Sequence, residues 1–376
     1  MPIMRHRSSP NEIAGVVLVG THPWASSAFD RLLPRTLLPI AHRPLLSYAL
    51  FWLHGQGIRD VSVCANRETK ALESRLVRHV PEGMTAVYYE DPMPRGAAGA
   101  FRDAAIRSSA ATFVVTDGSS IPNANLRELL DAHTKAAAAV TVVVHPEPAR
   151  HGNPGLQVPS GIYVFDRSAL DAIPAKGFFD IKENLLPALY RSGQRVIVHE
   201  TTHASPRVLD ASSYLAVNEW MVEHLVNSGE AIEGYVRTPC GLVHREAVVA
   251  DDAVLVGPLM VGPGARVMSG AVIVGPTSIG RDALIGPGVL VSRSAIWRRV
   301  SIGDRSVADR CILSDDAVVD PGTHAFRNVL VGNMRAEPET IAEGVAEPAQ
   351  ATSQEFMRRI GRLWNSATWL RSPAPQ

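Results

Sequence analysis

The sequence is poor in several features that mark particular classes of protein. Its three cysteines, Cys64, Cys240 and Cys311, are too few and too widely spaced for a disulfide framework or a zinc site. Lys plus Arg and Asp plus Glu both number 37, so no net charge recruits nucleic acid. The N-terminus lacks a signal-peptide run, and no apolar stretch reaches the roughly 20 residues of a membrane span. We therefore expect a soluble, cytoplasmic protein with buried thiols.

The chain is long and apolar enough for two domains, with 376 residues of which 46% are hydrophobic. Between residues 13 and 226, short apolar runs alternate with longer amphipathic segments, which is typical of an α/β fold. The predicted strands are 16–19, 61–64, 86–89, 112–115 and 140–144, and the predicted helices are 44–56, 68–78, 98–109 and 125–138. No GxGxxG follows the first strand of this Rossmann-like layer, so a dinucleotide cofactor is not expected.

A six-residue repeat dominates the second half of the chain. Apolar residues recur at this spacing from Val243 to Val291, and a mostly small residue follows each after four positions. This is the hexapeptide pattern of a left-handed parallel β-helix, in which three hexapeptides form one coil. We predict such a β-helix over residues 243–332. The phase of the repeat shifts near 292–299 and resumes at Ile296 and Ile302, which predicts a loop or an offset coil.

Several separate segments resemble one family. LVGTHPWASSAFDRLLPRTLLPI at 18–40 has the length and flanks of the pattern LAGGxGTRLxPLTxxxPKPLLPV, and GIYVF at 161–165 and SAIWRRVSIGD at 294–304 also match. These segments resemble the sugar-1-phosphate nucleotidyltransferases, which make nucleotide-sugars from a nucleoside triphosphate and a sugar 1-phosphate. The resemblance implies a Rossmann-like nucleotidyltransferase domain followed by a left-handed β-helix of hexapeptide repeats.

The first of these segments lacks most of the residues that the family pattern uses on the triphosphate. Gly20 remains, but Pro23 and Trp24 stand where the pattern has Gly and Thr. Proline lacks an N–H donor, and the indole is bulky where backbone must approach an anion. Ala25 replaces the arginine, whereas Arg35 keeps the charge of the pattern's lysine. We expect this loop to bind a triphosphate poorly.

The metal-binding positions of the family are also altered. VTDGS at 115–119 resembles a strand end whose last aspartate holds Mg²⁺, and that position is Ser119. Asp117 could substitute for it, or could instead cap the turn. The second metal aspartate normally stands seven residues before a tyrosine; counted from Tyr214 this is Arg207, and Asp210 is the nearby carboxylate. Mg²⁺ is expected only if the chain is active.

PRGAAGA at 94–100 resembles the PLGTAGA segment that lines the family's base and sugar pocket. The resemblance implies a nucleotide or nucleotide-sugar pocket that includes Gly20, Gly96, Ala97, Ala98 and Gly99. Tight packing is the alternative explanation for these small residues. The segment 145–160 contains no lysine, although the family has an EKP motif there that contacts sugar phosphate.

Three functions remain open at this point. The favoured one is a catalytically weak or inactive family member that acts as a regulatory, ligand-sensing or scaffolding subunit. The alternative is an active nucleotidyltransferase in which Arg35, Asp117 and Asp210 take improvised roles. The third is an acyltransferase that uses the β-helix and a histidine, His244 or His324.

The last part of the chain has its own pattern. Residues 333–354 read as a Glu/Pro/Ala linker, and residues 355–371 read as an amphipathic helix with arginines beside its apolar stripe. Such a helix could dock on its own β-helix, bind a partner or lie on a membrane. We expect a homo-oligomer or a complex with an active relative, because an open β-helix and an apolar helix both favour association.

Overall fold

A computed structural model describes residues 13–19, 29, 32–65, 69–91, 93–146, 157–202, 204–332 and 339–340. By their internal contacts these residues form two units. The α/β unit comprises described residues within Met1–His22 and Leu46–Pro206, and the β-helix unit comprises those within Pro23–Leu45 and Arg207–Val345.

The elements of the α/β region and the helix that follows it come first in the chain. The strands are β1 (Ile13–Leu18), β2 (Pro39–Ile40), β3 (Arg43–Pro44), β4 (Asp60–Ala65), β5 (Thr85–Glu90), β6 (Thr112–Asp117), β7 (Val140–Pro146), β8 (Gln157–Asp166) and β9 (Val196–Glu200). The α-helices are α1 (Leu45–Gly55), α2 (Thr69–Leu76), α3 (Gly96–Ala105), α4 (Leu126–Lys135), α5 (Leu186–Arg191) and α6 (Ala211–Asn227). Short 3₁₀ turns occupy Arg35–Leu37, Val77–His79 and Arg167–Ala172, and a π-helical turn occupies Ile181–Leu185.

The α/β unit is built on a seven-stranded sheet in the order β5-β4-β1-β6-β8-β7-β9. β5, β4, β1 and β6 are parallel, and β8 runs antiparallel to β6 and β7. The apolar centres of β1 and β6 are buried, as expected for strands with helices on both faces. All five strands and four helices predicted for this region are confirmed. The carboxyl ends of the parallel strands lie at one edge, where β6 ends at Asp117 and β5 leads into α3.

The second half of the chain is a parallel β-helix of three sheets. Its strands are β10 (Tyr235–Thr238), β11 (Gly241–His244), β12 (Val248–Val249), β13 (Val254–Val256), β14 (Leu259–Val261), β15 (Arg266–Val267), β16 (Val272–Val274), β17 (Thr277–Ile279), β18 (Leu284–Ile285), β19 (Leu290–Ser292), β20 (Ala295–Ile296), β21 (Ser301–Ile302), β22 (Val307–Asp309), β23 (Ile312–Leu313), β24 (Val318–Val319), β25 (His324–Phe326), β26 (Asn328–Leu330) and β27 (Glu339–Thr340). The predicted inward positions stack in register, as Val243 pairs with Val261 and Val261 with Ile279.

The predicted phase shift is a change in coil length. Ile279 pairs with Ile296, and Ile296 with Leu313, so a coil of 18 residues shortens to 17. The missing residue lies at the corner that follows β19, β22 and β25. There Arg293, Arg310 and Arg327 adopt positive φ values of 46°, 52° and 51°, which turn the chain sharply in one residue.

Helix α6 and the β2–β3 hairpin belong to the β-helix unit by their contacts. Trp297 Nε1 donates to Tyr214 Oη at 2.8 Å, and Tyr214 Oη donates to the Pro39 carbonyl at 2.6 Å. The Ala41 N–H donates to Asn218 Oδ1 at 3.0 Å, and the Asn218 amide donates to Ser278 Oγ at 3.1 Å. The sequence pattern had placed α6 with the α/β domain, because its amphipathic pattern does not reveal its packing partner.

The thiols agree with the sequence analysis in two of three cases. Cys64 and Cys311 are buried, Cys240 is half-buried, and all three are free. Burial raises the pKa of Cys64 to about 12 and that of Cys311 to about 11. In the part of the chain that the structure describes, no helix is long and apolar enough to cross a membrane. Most of the predicted linker 333–354 and the whole predicted helix 355–371 lie outside the described residues.

Candidate functional site

The turn that follows β6 is closed by the Asp117 side chain. Asp117 Oδ1 accepts hydrogen bonds from the Ser119 N–H at 2.8 Å and from Ser119 Oγ at 2.7 Å. Between them, the Gly118 N–H donates to the Leu18 carbonyl at 2.9 Å. A side chain at 118 would not fit, because its Cβ would lie 2.8 Å from Val19 Cγ1. Asp117 thus caps this turn, which is one of the two roles that the sequence left open.

The residues at the family's metal positions do not suit Mg²⁺. A magnesium site takes at least one or two carboxylates, and the serine at 119 offers a neutral hydroxyl that already donates to Asp117. Arg207 stands at the second position, where a guanidinium cannot ligate a cation. Burial lowers the pKa of Arg207. Ser119 and Arg207 therefore do not form a magnesium site.

Asp210, the other carboxylate considered for this role, caps helix α6. Its Oδ1 accepts from the Ser213 N–H and from Ser213 Oγ, each at 2.8 Å, and Ser213 Oγ also accepts from the Asp210 N–H at 2.8 Å. This is a reciprocal capping box. Asp210 is exposed and lies in the β-helix unit. Among the described residues, no group of three or more His, Cys, Asp or Glu side chains could hold a metal ion.

The small-residue segment at the start of α3 packs against the chain's own backbone. Gly96 has a φ of +73°, and a Cβ there would lie 2.6 Å from the Phe179 carbonyl oxygen. That oxygen accepts the N–H groups of Ala98 and Gly99 at 3.0 and 3.2 Å. The close approach that the glycine permits is therefore explained by packing. A ligand pocket at Gly96, Ala97, Ala98 and Gly99 stays a prediction.

Arg95 holds this arrangement in place. The buried guanidinium donates to Asp103 Oδ2 from Nε at 3.0 Å, to the Gly177 carbonyl from Nη1 at 2.8 Å and to the Pro174 carbonyl from Nη2 at 3.0 Å. It thereby fastens the segment containing Phe179 to α3. The sequence analysis did not single out Arg95, although an arginine in place of the family's leucine was a signal that could have done so.

Arg35 and Gly20, the other two predicted site residues, do not belong to the described part of the α/β unit. Arg35 is half-buried in the short turn Arg35–Leu37 and belongs to the β-helix unit. Gly20 and residues 21–28, including Pro23, Trp24 and Ala25, lie outside the described residues. The part of the 145–160 segment from 147 to 156 lies outside them as well.

Comparison with known proteins gives a consistent result. The family model described as nucleotidyl transferase matches residues 30–154. The chain is 25% identical over 288 residues to a mannose-1-phosphate guanylyltransferase of Mycobacterium tuberculosis, with 69% of this chain and 78% of that protein covered. The chain thus contains a segment that matches the nucleotidyl transferase model, and over most of its length it is similar to a sugar-1-phosphate nucleotidyltransferase. The strands of the α/β unit are present in the described residues, and the residues at the family's metal positions are Ser119 and Arg207.

Two further matches cover a smaller share of this chain. A D-glycero-alpha-D-manno-heptose 1-phosphate guanylyltransferase of Aneurinibacillus thermoaerophilus is 25% identical over 114 residues, which is 30% of this chain and 49% of that protein. The crystal structure of HddC from Yersinia pseudotuberculosis complexed with GMP-PN is 15% identical, with a TM-score of 0.47 over 55% of this chain and 99% of that chain.

Proposed function

We propose that this sugar-1-phosphate nucleotidyltransferase family member is catalytically inactive, and that it binds a nucleotide or nucleotide-sugar as a regulatory or scaffolding subunit. The observation that carries the proposal is the turn after β6. Ser119, the residue at the metal position, donates its hydroxyl hydrogen to Asp117 Oδ1. The same oxygen accepts the Ser119 N–H and closes the turn.

The chemistry of phosphoryl transfer explains why this matters. Such reactions depend almost entirely on positioning and on stabilising the charge that develops on phosphate. Loss of a single stabilising group costs about 10²–10³ in rate. Here the arginine of the loop is Ala25, and the two metal carboxylates are Ser119 and Arg207. Losses of this size at several positions leave no visible source of rate acceleration.

An active nucleotidyltransferase is the second candidate, and the similarity to a mannose-1-phosphate guanylyltransferase favours it. It would need Arg35, Asp117 and Asp210 to stabilise charge. The caps formed by Asp117 and Asp210 weigh against that assignment, because each of these carboxylates stabilises its own turn or helix.

A subunit without turnover would act through its association with other chains. We therefore also propose assembly with a second copy or with an active relative. The contacts that join Trp297, Tyr214 and Pro39 attach the segment after the nucleotide loop to the β-helix, so a partner bound to the β-helix would act on an element connected to that segment.

Binding without reaction can be measured directly. Calorimetry with guanosine and uridine nucleotide-sugars is expected to give a dissociation constant that is micromolar or weaker, equivalent to about −8 kcal/mol or less in magnitude. Affinity should be the same with magnesium and with EDTA, because the metal carboxylates are missing. The ligand should be recovered unchanged. Absence of binding for every ligand would leave a purely structural role, and affinity that requires magnesium would favour the active alternative.

A further inference from the structure

One face of the β-helix is both apolar and exposed. It is formed by the outward side chains of β13, β16, β19, β22 and β25, whose intervening residues Leu255, Ile273, Val291, Ala308 and Ala325 stack inside. We call this outward surface the valine face. Its apolar members are Val254, Val256, Val272, Val274, Leu290, Val307 and Phe326, and its polar members are Ser292, Asp309 and His324.

The two other sheets of the β-helix differ from it. On the sheet that contains β14 and β17, the outward residues Met260, Ser278 and Ile312 are buried. On the sheet that contains β12 and β15, outward valines alternate with polar residues such as Arg266 and Ser301. On the valine face, Val254 is 51% and Phe326 is 54% exposed. The first ladder of outward residues is apolar from Val254 to Val307 and ends at His324, and the second runs from Val256 and Val274 through Ser292 and Asp309 to Phe326. Contiguous apolar surface of this kind usually marks a contact.

The dimensions of the valine face suit one helix. Five strands at about 4.8 Å spacing and three residues of width give roughly 250 Å². A stable interface between two copies needs about 800 Å² from each partner, so two valine faces packed together would be too small. A single α-helix is about 10 Å across and rises about 1.5 Å per residue, so 17 residues extend about 25 Å and match the height of the ladder.

The chain itself offers such a segment. Residues 355–371 are predicted to form an amphipathic helix, with Phe356, Ile360, Leu363, Ala367 and Leu370 on one stripe. The last described strand, β27, pairs with β26, which is separated from β25 of the valine face only by the corner at Arg327. The residues 341–354 between Thr340 and the helix could span up to about 46 Å, which is more than the neighbouring face requires.

Charge favours the same occupant and gives it a direction. One border of the valine face carries Asp251, Asp252, Asp304 and Asp320 with a single arginine, Arg305. The opposite border carries Arg293, Arg310 and Arg327, of which Arg293 pairs with Glu219 and Arg310 with Asp309. On a helical wheel, Arg359 and Arg362 lie on one flank of the apolar stripe together with Glu355, and Arg358 lies nearly opposite the stripe. We infer that residues 355–371 cover the valine face of their own β-helix as a helix, with this arginine flank beside the aspartate border.

Cysteine labelling tests the inference in the full chain. Val254→Cys and Phe326→Cys place thiols at the two ends of the valine face, and Val318→Cys, 72% exposed on another sheet, is the matched control. We expect the first two thiols to react at least about tenfold more slowly in the full chain than in a chain ending at Gln350. A tenfold difference corresponds to a contact that stabilises the covered state by about 1.4 kcal/mol. The control should react equally in both. The native Cys64 and Cys311 should not be labelled because they are buried. Labelling of the half-buried Cys240 is measured separately on the peptide that contains it.

Each other outcome overturns the inference. Equal labelling of the full and shortened chains shows that the segment does not cover the face. Protection that disappears on about hundredfold dilution assigns the contact to a second copy, by mass action. Protection that requires anionic vesicles assigns it to a membrane. If Arg359→Glu with Arg362→Glu leaves labelling slow, the charge assignment is wrong; labelling that rises to the rate of the shortened chain supports it.

Discussion

Replacement of Arg95 by alanine is expected to lower the free energy of unfolding of the α/β unit by about 3 kcal/mol. The buried guanidinium donates to Asp103 and to the carbonyls of Gly177 and Pro174. Alanine removes all of these bonds and leaves two carbonyls and a carboxylate without their donor. Asp103 is 44% exposed, so water compensates in part, and the loss should fall at the lower end of the range for buried ion pairs.

Hydrogen exchange locates this effect. The N–H groups of Ala98 and Gly99 donate to the Phe179 carbonyl, which Arg95 holds in place. Peptides covering α3 should exchange about 100-fold faster at these amides in Arg95→Ala, in line with about 3 kcal/mol. Arg102→Ala is the matched control, because Arg102 approaches the same Asp103 at only 3.8 Å, and its effect should stay within about 0.5 kcal/mol. Equal effects of the two substitutions would show that Arg95 does not anchor the segment.

The β-helix unit should lose stability as pH falls from about 6.5 to about 4, because His42 resists protonation in the folded state. Its Nδ1 lies 2.8 Å from Tyr235 Oη. Burial lowers the pKa of His42 from 6.5 to about 4; the backbone carbonyl of Ile279 opposes this change, and His244 adds a smaller lowering contribution. Above pH 6.5 the His42 imidazole is neutral in both the folded and the unfolded protein, so its titration does not change the free energy of unfolding. Below that value only the unfolded state binds the proton, and the penalty grows to about 2–3 kcal/mol near pH 4 before it levels off.

Denaturant unfolding at a series of pH values isolates this contribution when the natural chain is compared with His42→Gln. The glutamine keeps a polar group near Tyr235 and cannot titrate. The difference in unfolding free energy between the two proteins should be constant above pH 6.5 and should shift in favour of the variant as pH falls below it. Parallel curves over the whole range would exclude His42 as the source.

The fold was largely predictable because its signals are periodic. Apolar residues six positions apart, from Val243 to Val291, stack in register in the structure, and the phase shift proved to be a shortened corner. The role of α6 was not predictable, since the bonds that hold it join Asn218 to Ala41 and to Ser278, residues far apart in sequence. Periodicity indicates which face of a helix is buried, but not against what it packs.

The loss of the metal carboxylates from the candidate site could be predicted from the sequence. The hydrogen bonds that the residues at the site make could be predicted only in part. A serine at 119 and an arginine at 207 could be found by position alone. The cap formed by Asp117 depends on hydrogen bonds from Ser119 and was one of two roles that the sequence left open, whereas the helix cap formed by Asp210 with Ser213 was not predicted. The contact of Gly96 with the Phe179 carbonyl joins segments more than eighty residues apart, so no local sequence pattern predicts it.

Pyrophosphate release, measured with magnesium and a panel of nucleoside triphosphates and sugar 1-phosphates, tests the proposed inactivity most directly. The mannose-1-phosphate guanylyltransferase of Mycobacterium tuberculosis serves as the positive control. The natural chain should show no turnover above background, and Ala25→Arg with Ser119→Asp should show none either, because the sequence still has a proline without an N–H donor at 23 and a bulky tryptophan at 24. A rate within about tenfold of the positive control, equivalent to only about 1.4 kcal/mol of lost transition-state stabilisation, would contradict the account.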